Sequence, residues 1–198
     1  MFRLRLLSMA ILLTFCGCSS SKMSYVSSSS HLMEKCEIHS IAMNPSGGLL
    51  GDAIAMNLAA RGYNVYDTQQ SSSLFTRLNM NELEVSSEQD FDRLKKQGVD
   101  AYLFIRSSCG PDGMPENATV RLNRTRDGKL LVGITWSNGW GGQQGSMADR
   151  TMRKNLAETA DEITKGLIKG LPCPDKTTGN IFLDDLPGGI ELQIDNPF

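Results

Sequence analysis

Glu37-Ile38-His39-Ser40-Ile41-Ala42-Met43 is followed by Asn44-Pro45-Ser46-Gly47-Gly48, then Leu49 to Arg61, Gly62, and Tyr63 to Tyr66. The first run is rich in β-branched and apolar residues and reads as a strand, which the Asn-Pro-Ser-Gly-Gly cluster breaks. Leu50, Ile54, Leu58 and Ala59 recur at helical spacing, and Gly62 supplies the stop. Tyr63 to Tyr66 is a second short strand. A strand, a helix and a strand in this order form a β-α-β unit, and the right-handed crossover makes its two strands parallel.

Downstream, Ser71 to Leu78 reads as a short helix capped by serine. Ser87, with Asp90 three residues on, opens a helix through Gln97. Asp100 to Ser107 is almost continuously apolar, as a central strand must be when both its faces are covered. Cys109 to Asn117 holds two prolines and two glycines and reads as a loop. Ala118 to Thr125 and Lys129 to Trp136 are strands joined through Arg126-Asp127-Gly128, an Asp-Gly hairpin turn. After a Gly-rich stretch, Met147 to Leu171 forms one amphipathic helix with Leu156, Ala160, Ile163, Leu167 and Leu171 as its apolar stripe, and Pro172 ends it. The expected fold is α/β (an α+β sandwich). It has a single mixed sheet of about five strands in the order β-α-β-α-α-β-β-β-α, with the helices packed on the sheet.

The first thirty residues decide the compartment. Arg3 and Arg5 precede an apolar run from Leu6 to Phe15, followed by Cys16-Gly17-Cys18 and serines. The run is about half the ~20 residues a spanning helix needs, so it reads as an export signal. Gly17-Cys18 resembles the end of a bacterial lipobox, whose cysteine is acylated and becomes the new amino terminus. That resemblance implies lipidation at Cys18, a palmitate-bearing anchor and, with Ser19 next, sorting to the outer membrane with the domain facing the periplasm. Expected boundaries are 1–17 for the signal peptide, 18–33 for a lipidated Ser-rich tether, 34–173 for the α/β domain and 174–198 for a C-terminal extension. Ser19 to Ser30 shows no hydrophobic periodicity and reads as a flexible leash of root-mean-square span about 20 Å.

Losing Arg3 and Arg5 with the leader leaves 18 basic against 22 acidic residues, a net charge of −4. No basic stripe speaks for nucleic acid. His31 lies in the leash and His39 sits mid-strand, with no second His nearby in sequence to build a zinc site. Neither G-x-S-x-G nor H-E-x-x-H occurs, so no catalytic residue, metal or cofactor is assigned. Outside the leader and Cys18, three cysteines remain in an oxidising compartment. In the expected topology Cys36 begins the first strand and Cys173 follows the last helix back to the same end, which pairs these two as a disulfide. Cys109 lies at the other end and is left over.

Three stretches are candidates for binding. Trp136 and Trp140, the only tryptophans, fall within five residues beside a Gly-rich loop and are candidate partner anchors. Ile190, Leu192 and Ile194 alternate after a Pro-Gly-Gly break, and pair either with an edge of their own sheet or with a partner's. As an alternative, Ser46, Gly47, Gly48 and Gly51 with Asp67 imitate a dinucleotide-binding turn and its ribose-binding acid.

The segment Leu49 to Asp67, the run Gly98-Val99-Asp100-Ala101-Tyr102-Leu103 and the Asp127-Gly128-Lys129 hairpin together resemble a set of bacterial envelope domains. The set comprises the lipoprotein activators of penicillin-binding proteins, the curli secretion lipoproteins and the amino-terminal domain of the Tol-system periplasmic protein. The likeness spans roughly residues 36 to 171. It implies a non-catalytic docking or accessory subunit of a multi-protein envelope assembly, such as a secretion system or cell-wall machine. Its partners would be other envelope proteins or further copies of itself. A curli-type pore needs long alternating hairpins, and the single hairpin here is too short for one.

Overall fold

The structure, a computed structural model, describes residues 20–27, 38–81, 85, 87–143 and 145–171. The signal segment, Cys18, Cys36, Cys173 and the tail with Ile190, Leu192 and Ile194 lie outside the described residues. The elements are β1 (Lys22–Ser27), β2 (Ser40–Met43), α1 (Gly48–Ala59), β3 (Asn64–Tyr66), α2 (Thr68–Leu78), α3 (Glu88–Lys96), β4 (Ala101–Cys109), β5 (Pro115–Arg124), β6 (Leu130–Ser137), α4 (Met147–Met152) and α5 (Leu156–Gly170).

One mixed sheet in the order β1-β6-β5-β4-β2-β3 organises the chain. β2 pairs parallel with both β3 and β4, as the β-α-β reading requires, and β4, β5, β6 and β1 follow antiparallel. All four residues of β2 are buried, so its apolar run is continuous. Its entry is pinned by the Asp100 carboxylate, which accepts from the backbone amides of His39 and Ser40 at 2.9 Å each.

The two faces of the sheet are covered unequally. On one, α1 and α5 pack over Ile41, Met43, Leu103, Ile105, Val120, Leu122, Val132, Ile134 and Trp136 across β2 to β6. On the other, α2 and α3 cover only the β2–β4 side, around Ala42, Tyr102, Leu74, Phe75, Phe91 and Leu94. Phe75 and Tyr102 meet as a tilted ring pair at 5.9 Å, within the favourable range for aromatic packing.

Four elements differ from the sequence expectation. The Ser-rich leash is in part a strand: Lys22–Ser27 pairs with β6 over six residues, from Lys22 opposite Ser137 to Ser27 opposite Val132. Alternation across the pleat puts Met23, Tyr25 and Ser27 toward α5. A Cβ on Gly166 would stand 3.0 Å from Met23 Sδ, so the missing side chain is what lets β1 and β6 approach the helix. Lys169 Nζ lies 5.4 Å from the Tyr25 ring centre, and Ser27 Oγ donates to the Gly170 carbonyl at 3.1 Å.

The expected helix 147–171 is two helices. Asn155 and Glu158 form a reciprocal capping box that starts α5 afresh, and Asn138 accepts from the Lys154 amide at 2.8 Å, holding the joint open. The expected loop 109–117 is short, because β4 runs through Cys109 and β5 begins at Pro115. α2 also begins earlier than expected, at Thr68. Its cap is Asp67, while Ser71 is buried and accepts from the Met43 amide at 3.1 Å.

Candidate interaction surface

Where α2 and α3 end, no described residue covers the sheet. The register lines up three cross-strand rows on that uncovered face. They are Lys22–Ser137–Asn117–Ser108, Ser24–Thr135–Thr119–Arg106, and Val26–Gly133–Arg121–Phe104. Lys22, Ser24, Val26, Thr135, Asn117, Arg121, Arg106 and Ser108 are exposed. These rows carry hydroxyls, one amide and three cations, and no carboxylate. Such a surface is polar enough to stay solvated, yet it presents flat β-structure with a local positive charge on a chain of net negative charge. Beside it, β1 ends the sheet with its second edge free among the described elements. An unpaired strand edge offers backbone donors and acceptors for an added strand.

The end of the sheet where β4 finishes and β5 begins is held by polar joints. Arg153, largely buried, pairs with Asp112 and, at 3.4 Å, with Asp149. These charged hydrogen bonds hold the guanidinium above its ordinary pKa against the opposing pull of burial. Asn138 donates to the Pro115 carbonyl at 2.6 Å and the Lys154 carbonyl at 2.9 Å. Glu162 gathers three donors: Trp136 Nε1 at 2.7 Å, Lys154 Nζ at 2.8 Å and Ser21 Oγ at 3.2 Å. Burial alone would raise the Glu162 pKa, but the donors outweigh it and hold the carboxyl below its usual range. Through Ser21 this cluster ties the start of β1 to α5.

The candidate residues from the sequence separate on this frame. Trp136 is fully buried, with its indole N–H spent on Glu162, so as a surface anchor it is corrected to a core residue. Its place on the inward face of β6 follows from strand alternation. Trp140 is 62 % exposed. At the glycine turn, Asn44 fills the space above β2: its Oδ1 accepts from the Ile105 amide at 2.7 Å and its Nδ2 donates to the Ile105 carbonyl and Ser46 Oγ at 2.9 Å each. The Thr68 methyl packs over Gly47 and Gly51, and the Asp67 carboxylate caps α2 by accepting from the Gln70 amide at 2.7 Å. Asp67, Gly47 and Gly51 are thus engaged with protein groups, while Gly48, at φ +60°, faces open space. Cys109 is exposed with a free thiol. Among the described residues no group of His, Cys, Asp and Glu converges as a metal set, and no helix is long and apolar enough to cross a membrane.

The open face was missed in the sequence because it needs β1, and β1 hides among serines. Its signal is the spacing Met23-x-Tyr25 in an otherwise polar stretch.

No family model matches the chain, and no curated protein matches it. Several solved structures are similar. A PelC dodecamer from Paraburkholderia phytofirmans is 15 % identical, with 78 % of this chain and 99 % of that chain covered and a TM-score of 0.42. The lipoprotein GNA1162 from Neisseria meningitidis is 21 % identical, covering 65 % of this chain and 99 % of its own, at 0.43. The LpoB C-terminal domain from Salmonella enterica is 14 % identical, covering 50 % and 82 %, at 0.38.

Proposed function

We propose that the protein is a non-catalytic accessory subunit of a cell-envelope assembly. It is anchored by lipid at Cys18 in the outer membrane, and its domain faces the periplasm. The observation that carries the docking role is the half-open sheet: the rows across β1, β6, β5 and β4 present Lys22, Arg106 and Arg121 without a carboxylate, next to the free edge of β1. A partner with an acidic surface or an extended segment complements both features at once. The tail strand at Ile190, Leu192 and Ile194 belongs to the same proposal, as a strand for an edge in this chain, a second copy or a partner.

The test uses the full-length chain in its native cells, with a photo-crosslinking residue placed singly at Thr119 or Thr135 on the open face, or at exposed Met56 on α1. Crosslinks to a defined envelope protein from the open-face positions alone, weakened by Arg121→Glu, are expected. Equal adducts from Met56, or none from the open face with or without residues 174–198, would remove the docking role.

A further inference from the structure

The start of β1 fixes how the domain stands on its membrane. Ser20, the first described residue, follows Cys18 by two residues, and Lys22 is already paired with Ser137. An extended chain advances at most about 3.6 Å per residue, so an acyl group on Cys18 lies within about 14 Å of the sheet. Ser21 is in turn bound to Glu162 of α5, which leaves two residues of slack where the sequence suggested a leash of a dozen.

That same end carries exposed apolar side chains. β6 leaves the sheet at Ser137 and leads directly to Trp140, which is 62 % exposed, and α4 begins with Met147 at 86 %. The loop presenting Trp140 is braced. Asn138 binds Pro115 and Lys154, and Gly141 lies so close to α4 that a Cβ would fall 2.3 Å from the Ala148 carbonyl oxygen. The charged groups around this end are mixed: Arg150, Glu116 and Glu158 are exposed, while Arg153 and Lys154 are engaged with Asp112, Asp149 and Glu162. Charge therefore does not select the occupant, but tether length does. A bilayer that receives the acyl chains lies within reach of these side chains, and tryptophan is the residue best suited to the boundary between headgroups and hydrocarbon.

We propose that this end of the sheet rests on a phospholipid surface, with Trp140 and Met147 entering the interface beside the Cys18 anchor. The inference rests on lipidation at Cys18. The orientation stands the sheet with its strands running away from the membrane and turns the open face sideways, parallel to the bilayer normal.

The test reconstitutes the acylated full chain in phosphatidylethanolamine–phosphatidylglycerol vesicles, with or without bromine on the acyl chains, and records tryptophan emission. With one exposed and one buried tryptophan, bromine is expected to remove up to about half of the emission in the parent and very little in Trp140→Phe. Mass analysis of the amino-terminal peptide reports the acyl group separately. An acylated protein whose emission ignores bromine overturns the orientation and leaves lipidation standing. A peptide without acyl mass overturns both. A concentration-dependent blue shift without bromine quenching assigns Trp140 to a contact between copies and also overturns the lipid contact.

Discussion

Removing the Glu162 carboxylate should loosen β1 and α5 together. Its three donors are unequal. Lys154 is about one-third exposed, and a pair of that kind contributes about 0–1 kcal/mol. Trp136 is fully buried, so its indole N–H cannot turn to water when the acceptor goes. Leaving such a donor unpaired costs about 1–3 kcal/mol. Glu162→Ala is therefore expected to cost about 1–4 kcal/mol, and Glu162→Gln, which keeps an acceptor, less than Ala and at most about 1 kcal/mol. Urea unfolding followed by far-ultraviolet circular dichroism reads this as a midpoint shift of about 0.5–2 M for Ala at a slope of about 2 kcal/mol per M. A cycle with Trp136→Phe should recover a coupling of about 1–3 kcal/mol. A Gln variant as unstable as Ala, or a coupling near zero, would refute the assignment of the cost to the indole.

The Glu162 carboxyl is held below its ordinary value in the fold, so its contribution is fully present above the unfolded-state pKa near 4.5 and is lost as pH falls through the lower folded value. Acid titration of the urea midpoint should show a steeper loss below pH about 5 for the parent than for Glu162→Gln. Asp127, held down to about 2 by its hydrogen bonds from Arg124, behaves alike, and Asp127→Asn should flatten the profile between pH 3.8 and about 2. Gly141→Ala sets a methyl against the Ala148 backbone and should cost about 1–3 kcal/mol, read by the same unfolding curves; a neutral outcome would contradict the close loop–helix contact. Peptide mapping without reductant should find Cys36 joined to Cys173 and Cys109 alkylated in the folded protein, in keeping with its exposed thiol.

What the sequence made legible follows from side-chain periodicity. The β-α-β unit, the central strand at Asp100 to Ser107 and the Asp127-Gly128 hairpin all advertise their burial through unbroken or alternating apolar residues, and the parallel and antiparallel pairings came out accordingly. β1 was hidden because only Met23 and Tyr25 of its inward face are large, and its stability comes from a helix more than a hundred residues away. The break between α4 and α5 was written in the chain, since Asn155 with Glu158 three residues on is a cap signal, but the apolar stripe through Leu156 and Ala160 outweighed it. The exposure of Trp140 was legible from the glycines around it, whereas Trp136 needed strand phase to place it inside. The open-face cations Lys22, Arg106 and Arg121 come from three strands brought together in space, and no linear window contains them.

The pairing of β1 with β6 also sets an order of events. A chain made from its amino terminus delivers Lys22–Ser27 first, yet the strand that seats it arrives more than a hundred residues later, and Glu162 later still. Closing so long a loop is among the slowest steps of folding. Lys22–Ser27 therefore remains unpaired until the rest of the sheet is complete. Seating it then serves as a final check, because only a domain whose last helix is in place offers Glu162 to Ser21 and closes the sheet at β1.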